Sequence, residues 1–233
     1  MLSHLIEIRR RILLVSILFG CLFLLFFFIA PHLFHGLIWP LLKALPHNKG
    51  LVATQITTPL FTPLNIAADM ALLGTTPYVL FHIGRFASPG LYQHERYHLS
   101  WVLCGSFTLF ILGCIFCYYL VLPFMFQFIV NMMPQGVHLM PDMGFAIDFI
   151  TRMLLIFGLC FQVPLVALIL VRLQLISILT LKNMRPYVIV GAFTLGMLLT
   201  PPDVLSQIML AIPLCLLYEF SVITARYAVK LDN

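Results

Sequence analysis

The sequence predicts an all-α, polytopic integral membrane protein of six transmembrane helices with both termini cytoplasmic. Three observations carry that reading. Of the 233 residues, 62% are hydrophobic and only 9% are charged, whereas roughly a quarter are charged in a soluble domain. The apolar residues gather into runs that approach the ~20 residues needed to cross ~30 Å of hydrocarbon as a helix. The basic residues, finally, concentrate at alternate ends of those runs.

The first span is predicted over 12–30, directly after Arg9-Arg10-Arg11. A basic start is also that of a signal peptide, but the run is too long for its apolar core and lacks a small-x-small cleavage site, so it reads as a retained span. The stretch 31–62 is predicted to lie outside, with Leu37–Leu45 as a short amphipathic segment on the outer surface and Trp39 at interface depth. Spans two, three and four are predicted over 63–84, 99–124 and 149–171. Between the last two, 126–148 carries Pro134, Gly136, Pro141 and Gly144 and predicts an ordered cap or turn. The final apolar block is cut by Thr200-Pro201-Pro202-Asp203, where two prolines stop a helix. Spans five and six follow as 187–199 and 204–225. Span five has 13 residues, only about 20 Å of helix, and the apolar stretch of span six before Glu219 is similarly short. Two short neighbours predict a bundle concave on one side, with the bilayer locally thinned or polar ends buried.

Lys and Arg accumulate on the cytoplasmic side of membrane proteins. With six spans, one side holds Arg9, Arg10, Arg11, Arg85, Arg96, Arg172, Lys182, Arg185, Arg226 and Lys230, the other only Lys43, Lys49 and Arg152. The net charge of +5 is therefore a topology signal, and no nucleic-acid partner is expected. No repeat, low-complexity tract or linker divides the chain, which predicts one membrane domain over 1–233.

Several residue constellations suggest chemistry. His94-Glu95-Arg96-Tyr97-His98 matches H-E-x-x-H, in which two histidines on one helical face hold zinc and the glutamate activates water. An intramembrane zinc metalloprotease is thus the alternative reading. It lacks an obvious third ligand, since Asp142, Asp148 and Asp203 fall on the outer side, and Arg96 places positive charge beside the cation. No G-x-S-x-G or phosphate loop is present, so neither an enzymatic activity nor a cofactor is expected. Cys21, Cys104, Cys114, Cys117, Cys160 and Cys215 all fall within predicted spans, which suits packing better than disulfides or redox work. Asp69 and Gln162 are the clearest polar residues inside spans. Such groups face protein or water, not lipid, and for Gln162 a helix–helix hydrogen bond and a functional role stay equally open. Asp148 and Arg152, at i and i+4, predict a local ion pair. Glu7 and Glu95 are acids among arginines near span ends. Each fits a solvated ion pair or a carboxylate site for a cationic partner, because guanidinium groups grip carboxylates bidentately.

Four blocks in order give the chain a resemblance. They are His4-Leu-Ile-Glu7-Ile-Arg9-Arg-Arg11, Phe86-x-x-Pro89-x-Leu91-Tyr92-x-x-Glu95-Arg96, Arg185-Pro-Tyr-Val188 and Gly196-Met197-Leu-Leu-Thr200-Pro-Pro-Asp203-Val204. The sequence resembles the TatC family, receptor subunits of the twin-arginine protein translocase. The resemblance implies a bacterial inner-membrane protein, part of a multimeric receptor complex. It would bind twin-arginine signal peptides and, with the single-span partners TatA and TatB, move folded proteins using the proton-motive force. It implies that Glu7 and Glu95 receive the arginine pair, with Arg9, Phe86, Pro89, Leu91, Tyr92 and Arg96 shaping that site. Met197, Thr200 and Gln207 would dock a partner helix, and Pro40, Pro77 and Asp203 would serve structure or assembly. Gln162 stands where many members carry a glutamate on the concave face. An amide there binds polar groups but takes no proton. His98 lies outside the family pattern.

Overall fold

The computed structural model describes residues 2–45, 50–87, 96–133, 140–172, 175–199 and 204–231. In chain order the helices are α1 (Leu2–Ala44), α2 (Thr58–Ala87), α3 (Arg96–Phe116), a π turn (Cys117–Val121), α4 (Leu122–Asn131), α5 (Met143–Cys160), α6 (Val163–Arg172), α7 (Ile178–Asn183), α8 (Arg185–Leu199) and α9 (Val204–Leu231). Among the described residues the one departure from helix and loop is an isolated bridge between Val52 and Asp142. Four apolar stretches, 9–44, 104–131, 143–171 and 207–227, are long enough to cross a membrane, and Arg185–Leu198 is a shorter apolar helix. Helix α2 is as long but more polar, with Asn65, Asp69, Thr75 and Thr76 along it.

The chain forms two compact units. The first holds residues 1–90 and 122–154, with α1 packed along α2. Ala67 and Ala71 are fully buried, and Gly74 continues that small-residue stripe one turn on. A methyl at Gly74 would stand 3.2 Å from Leu22 Cδ1 of α1, so the missing side chain lets the two helices come close, as in membrane bundles generally. Here the structure corrects the expected surface segment at 37–45, because α1 runs unbroken to Ala44 through Pro31 and Pro40. Each proline deletes one backbone donor, yet without water the remaining helical bonds have no substitute partners. Packing secures the continuation: Leu37, Ile38 and Leu41 are buried. Trp39 stays half exposed, with the Lys43 ammonium 5.1 Å from its ring centre. The helical run after α3 likewise outlasts the predicted end at 124. Helix α4 reaches Asn131 because Leu122, Met125 and Phe126 are buried, and the predicted cap over 126–148 shrinks accordingly.

The second unit holds residues 91–121 and 155–233. Two prolines, Pro123 just past the end of its first segment and Pro164 within its second, explain the helix irregularities here. Pro123 has no N–H for the Tyr119 carbonyl and its ring crowds that oxygen; the wider π turn over Cys117–Val121 relieves the clash. Pro164 does the same to Cys160, where α5 ends. The predicted fourth span is therefore two helices joined at Phe161-Gln162, with Gln162 N–H turning back to the Leu159 carbonyl at 3.0 Å. Against α5, α3 comes unusually near: a methyl on Gly158 would lie 2.6 Å from the Phe110 ring, and one on Gly113 would lie 2.8 Å from the Phe157 carbonyl.

Helices α8 and α9 flank the predicted Thr200–Asp203 stop, which itself lies outside the described residues. Helix α8 has 15 residues and is short, as expected. The expectation that span six is also short is corrected, since α9 runs for 28 residues through Pro213 and past Glu219. The acid does not end the helix because Arg185 Nη2 meets Glu219 Oε2 at 2.8 Å. Around that pair, Ala167, Val171, Leu181, Tyr218, Val222 and Ala225 form a buried cluster. Tyr218 donates its hydroxyl to the Leu181 carbonyl at 2.6 Å. The Ser177 hydroxyl accepts from the Thr180 amide at 3.1 Å and so caps α7, filling one of the donors left open at a helix start.

Candidate functional site

The first turns of α1 carry Glu7, Arg9, Arg10 and Arg11. One turn apart, Glu7 and Arg11 share a helix face, and the Arg11 guanidinium donates to Glu7 Oε1. Its other terminal nitrogen donates to the His82 carbonyl of α2 at 2.7 Å. The Glu7 side chain is 50% exposed and that of Arg11 only 17%. Arg9 and Arg10 are exposed, so three consecutive arginines serve different ends: two face outward and the third ties α1 to α2. Tyr78 stands edge-on to the His82 ring, centroids 4.4 Å apart, one turn before the bonded carbonyl. Phe86 follows one turn later, in the last turn of α2. Pro89, Leu91, Tyr92 and Glu95 lie outside the described residues, and Arg96 opens α3. The structure thus places Glu7, Arg9 and the helix bearing Phe86 in one unit. Of the H-E-x-x-H pattern, His94 and Glu95 also lie outside the described residues, while His98 falls in the first turn of α3.

The second predicted cluster sits where α8 and α9 pack together. Gly196 is buried, and a methyl on it would stand 3.4 Å from the Gln207 backbone. Met197 beside it is 57% exposed, and Gln207 is half-buried. Thr200 and Asp203 lie outside the described residues. Pro40 and Pro77 are both buried within their helices.

The intramembrane polar residues have partners. Gln162, 6% exposed, accepts from the Ser106 hydroxyl and donates to the Ser106 carbonyl, both at 2.8 Å. The α3 serine thereby satisfies the amide from both ends, which is the helix–helix bond the sequence left open. Asp69 on α2 accepts from the Thr151 hydroxyl of α5 at 2.8 Å, so it faces protein as expected. Arg152 and Asp148 pair at 3.3 Å.

Sequence reasoning missed one ordered polar site. Asp142 precedes α5 and accepts from the amides of Gly144 at 2.8 Å and Phe145 at 3.2 Å through Oδ1. Its Oδ2 takes the Thr54 hydroxyl at 2.6 Å and the Thr54 amide at 2.9 Å. Backbone bonds from Val52 to Pro141 and from Met143 to Val52 frame it. The Thr54 hydroxyl and amide, with smaller help from the two helix-start amides, hold the Asp142 carboxyl down at about 2. The signal was present in the sequence, because an aspartate directly before an apolar helical run is a capping residue.

The model of the Sec-independent protein translocase protein (TatC) family matches residues 3–213. The chain belongs to the TatC family. It is 39% identical to the Sec-independent protein translocase protein TatC of Haemophilus influenzae over 233 residues, 100% of this chain and 91% of that protein. It is 38% identical to the Escherichia coli (strain K12) protein of the same name, over 98% of this chain and 89% of that protein. A solved crystal structure of the twin-arginine translocase receptor TatC superposes with a TM-score of 0.87 at 33% identity, covering 97% of this chain and 99% of the other. The Glu7–Arg11 pair, the α8–α9 contact at Gly196 and the Gln162–Ser106 bond are therefore features of a TatC-family translocase protein. It is a multi-pass protein of the bacterial inner membrane.

Proposed function

We propose that this chain is the receptor for twin-arginine signal peptides on the cytoplasmic face, acting without catalysis of its own. The observation that carries the reading is Glu7, a half-exposed carboxylate already matched to a guanidinium and set on a helix tied to the one that bears Phe86. Glu7 and Glu95 receive the two signal arginines, and Arg9, Phe86, Pro89, Leu91, Tyr92 and Arg96 shape the surroundings. Met197, Thr200 and Gln207 seat a helix of TatA or TatB, for which the exposure of Met197 beside the tight Gly196 contact is suited. Asp203, Pro40 and Pro77 support structure and assembly. Six spans in one membrane domain with cytoplasmic termini agree with the ten-to-three division of basic residues. The proton-motive force drives transport of the folded cargo by a multimeric complex.

The test is export of a twin-arginine reporter protein in cells carrying Glu95→Gln or Glu7→Gln. Each variant inserts to normal levels and exports little. Normal export by both would sink the assignment of the two carboxylates.

A further inference from the structure

We propose that Arg11 limits Glu7 to one signal arginine, gripped at one oxygen, and so sets the receptor's demand for two arginines over one. The proposal rests on the receptor reading above. Arg11 is held at both terminal nitrogens, one on Glu7 Oε1 and the other on the His82 carbonyl. With only 17% of its side chain exposed, it cannot swing aside as a surface arginine would. Its anchor is backbone: in an α-helix the His82 carbonyl also takes the amide four residues on, that of Phe86, so it cannot move without opening the end of α2.

Glu7 is consequently half occupied. Its Oε1 is taken, while Oε2 has no hydrogen-bond partner among the described residues and belongs to a side chain that is half exposed. An arginine binds a carboxylate most tightly as a fork across both oxygens. Here that fork is blocked, and a fixed positive charge stands beside the open oxygen. A single arginine meeting Glu7 is therefore held end-on and weakly. A second arginine, placed on another carboxylate, has to make up the difference. Arg11 is a positioning residue in this scheme: it touches the receptor's carboxylate and leaves it oriented but incompletely available.

The experiment uses the purified full-length protein in lipid nanodiscs and synthetic signal peptides carrying Arg-Arg, Arg-Lys or Lys-Lys, with dissociation constants measured for wild type, Arg11→Gln and Arg11→Lys. Opening the second edge restores about one charge-assisted hydrogen bond to a lone arginine, worth about tenfold in affinity. Arg11→Gln therefore binds Arg-Arg and Arg-Lys each about tenfold tighter than wild type does, so that one arginine no longer depends on the second, while Lys-Lys, which cannot fork, does not gain. Arg11→Lys, which keeps the charge but replaces the two-handed fork with one ammonium, gives an intermediate gain and serves where Arg11→Gln fails to fold. A loss, or no gain, for both arginine peptides would mean a purely structural arginine and overturn the proposal. If wild type binds Lys-Lys as tightly as Arg-Arg, the receptor reading itself fails, an outcome distinct from a missing gain in the variants.

Discussion

Replacing Gln162 by leucine removes two hydrogen bonds at once, and the geometry allows their weights to be separated. Ser106 offers its hydroxyl to Oε1 and its carbonyl to Nε2, both at 2.8 Å. Interhelical hydrogen bonds in membrane proteins are worth about 0.6 kcal/mol each on average. Gln162→Leu then costs about 1.2 kcal/mol for the two bonds, with shape change kept small by the similar side-chain volume. Ser106→Ala removes only the hydroxyl bond and costs about 0.6 kcal/mol. The double variant should cost no more than Gln162→Leu alone, about 1.2 kcal/mol, because the hydroxyl has already lost its partner. The coupling of about 0.6 kcal/mol exceeds the ~0.3–0.5 kcal/mol scatter seen between independent sites. Gln162→Glu is the harsher change. Ionised, the carboxylate keeps the hydroxyl donor, faces the Ser106 carbonyl with no proton to give and adds the cost of a charge in the span, about 2.5–3.5 kcal/mol on insertion scales for aspartate; it escapes that cost only by taking up a proton, which it can then donate to the same carbonyl. Reversible unfolding by SDS in mixed micelles, followed by circular dichroism, measures all four proteins. A double variant whose loss equals the sum of the two singles would refute the reciprocal bond.

Two further predictions concern sites that the function does not use directly. Asp142→Ala loses a helix cap worth about 1 kcal/mol and releases Thr54, so its unfolding midpoint falls; the wild-type carboxyl is lowered from 3.8 to about 2, so its contribution is complete above its ordinary titration range and fades as pH drops toward 2. Asp142→Asn lacks that acid-dependent step, and a wild type with no extra loss over this range would contradict the clamp. Gly113→Ala, whose methyl would meet the Phe157 carbonyl at 2.8 Å and the Phe161 ring at 2.9 Å, is destabilised by about 1–3 kcal/mol of overpacking less about 1 kcal/mol gained in helix propensity. Gly191→Ala in α8, with nothing within 4 Å of the new methyl, raises the thermal midpoint in detergent instead. A rise in both would show that α3 and α5 do not pack as closely as Gly113 requires.

The sequence made the spans legible because an apolar run has few alternatives in lipid, and the double proline at 201–202 marked the α8–α9 boundary for the same reason. What it could not settle was the effect of single prolines. Pro31 and Pro40 pass within α1, while Pro164 splits a span and Pro123 follows a π turn. The ring does the same local damage in each case, and packing decides whether the helix continues. Glu219 shows the same limit. Alone in sequence it reads as the end of a span; 34 residues earlier lies Arg185, which neutralises it. Pairings across that distance, like Arg11 with His82 or Gln162 with Ser106, are written in the fold and not in local spacing. For the candidate site, residue types near span ends nominate Glu7 and Glu95, of which the structure describes Glu7. The role of Arg11 needed coordinates, because nothing in Arg9-Arg10-Arg11 distinguishes the third arginine from the first two.

Helix α1 has 43 residues, about 65 Å at 1.5 Å per residue, more than twice the ~30 Å of hydrocarbon. Standing upright, it must project well into the aqueous layers; fully immersed, it must lean steeply. Either way its two ends belong to a single shaft. Glu7 near one end and Pro40, under 2% exposed near the other, are separated by about 50 Å of helix, unbroken at Pro31 between them. A tug on the Glu7 carboxylate is thus a load on Ile38 and Leu41, which are packed too tightly to absorb it locally. If Glu7 receives the signal peptide as proposed, that end of the shaft is joined to the buried contacts at the other by continuous helix, and no intervening loop has to rearrange between them.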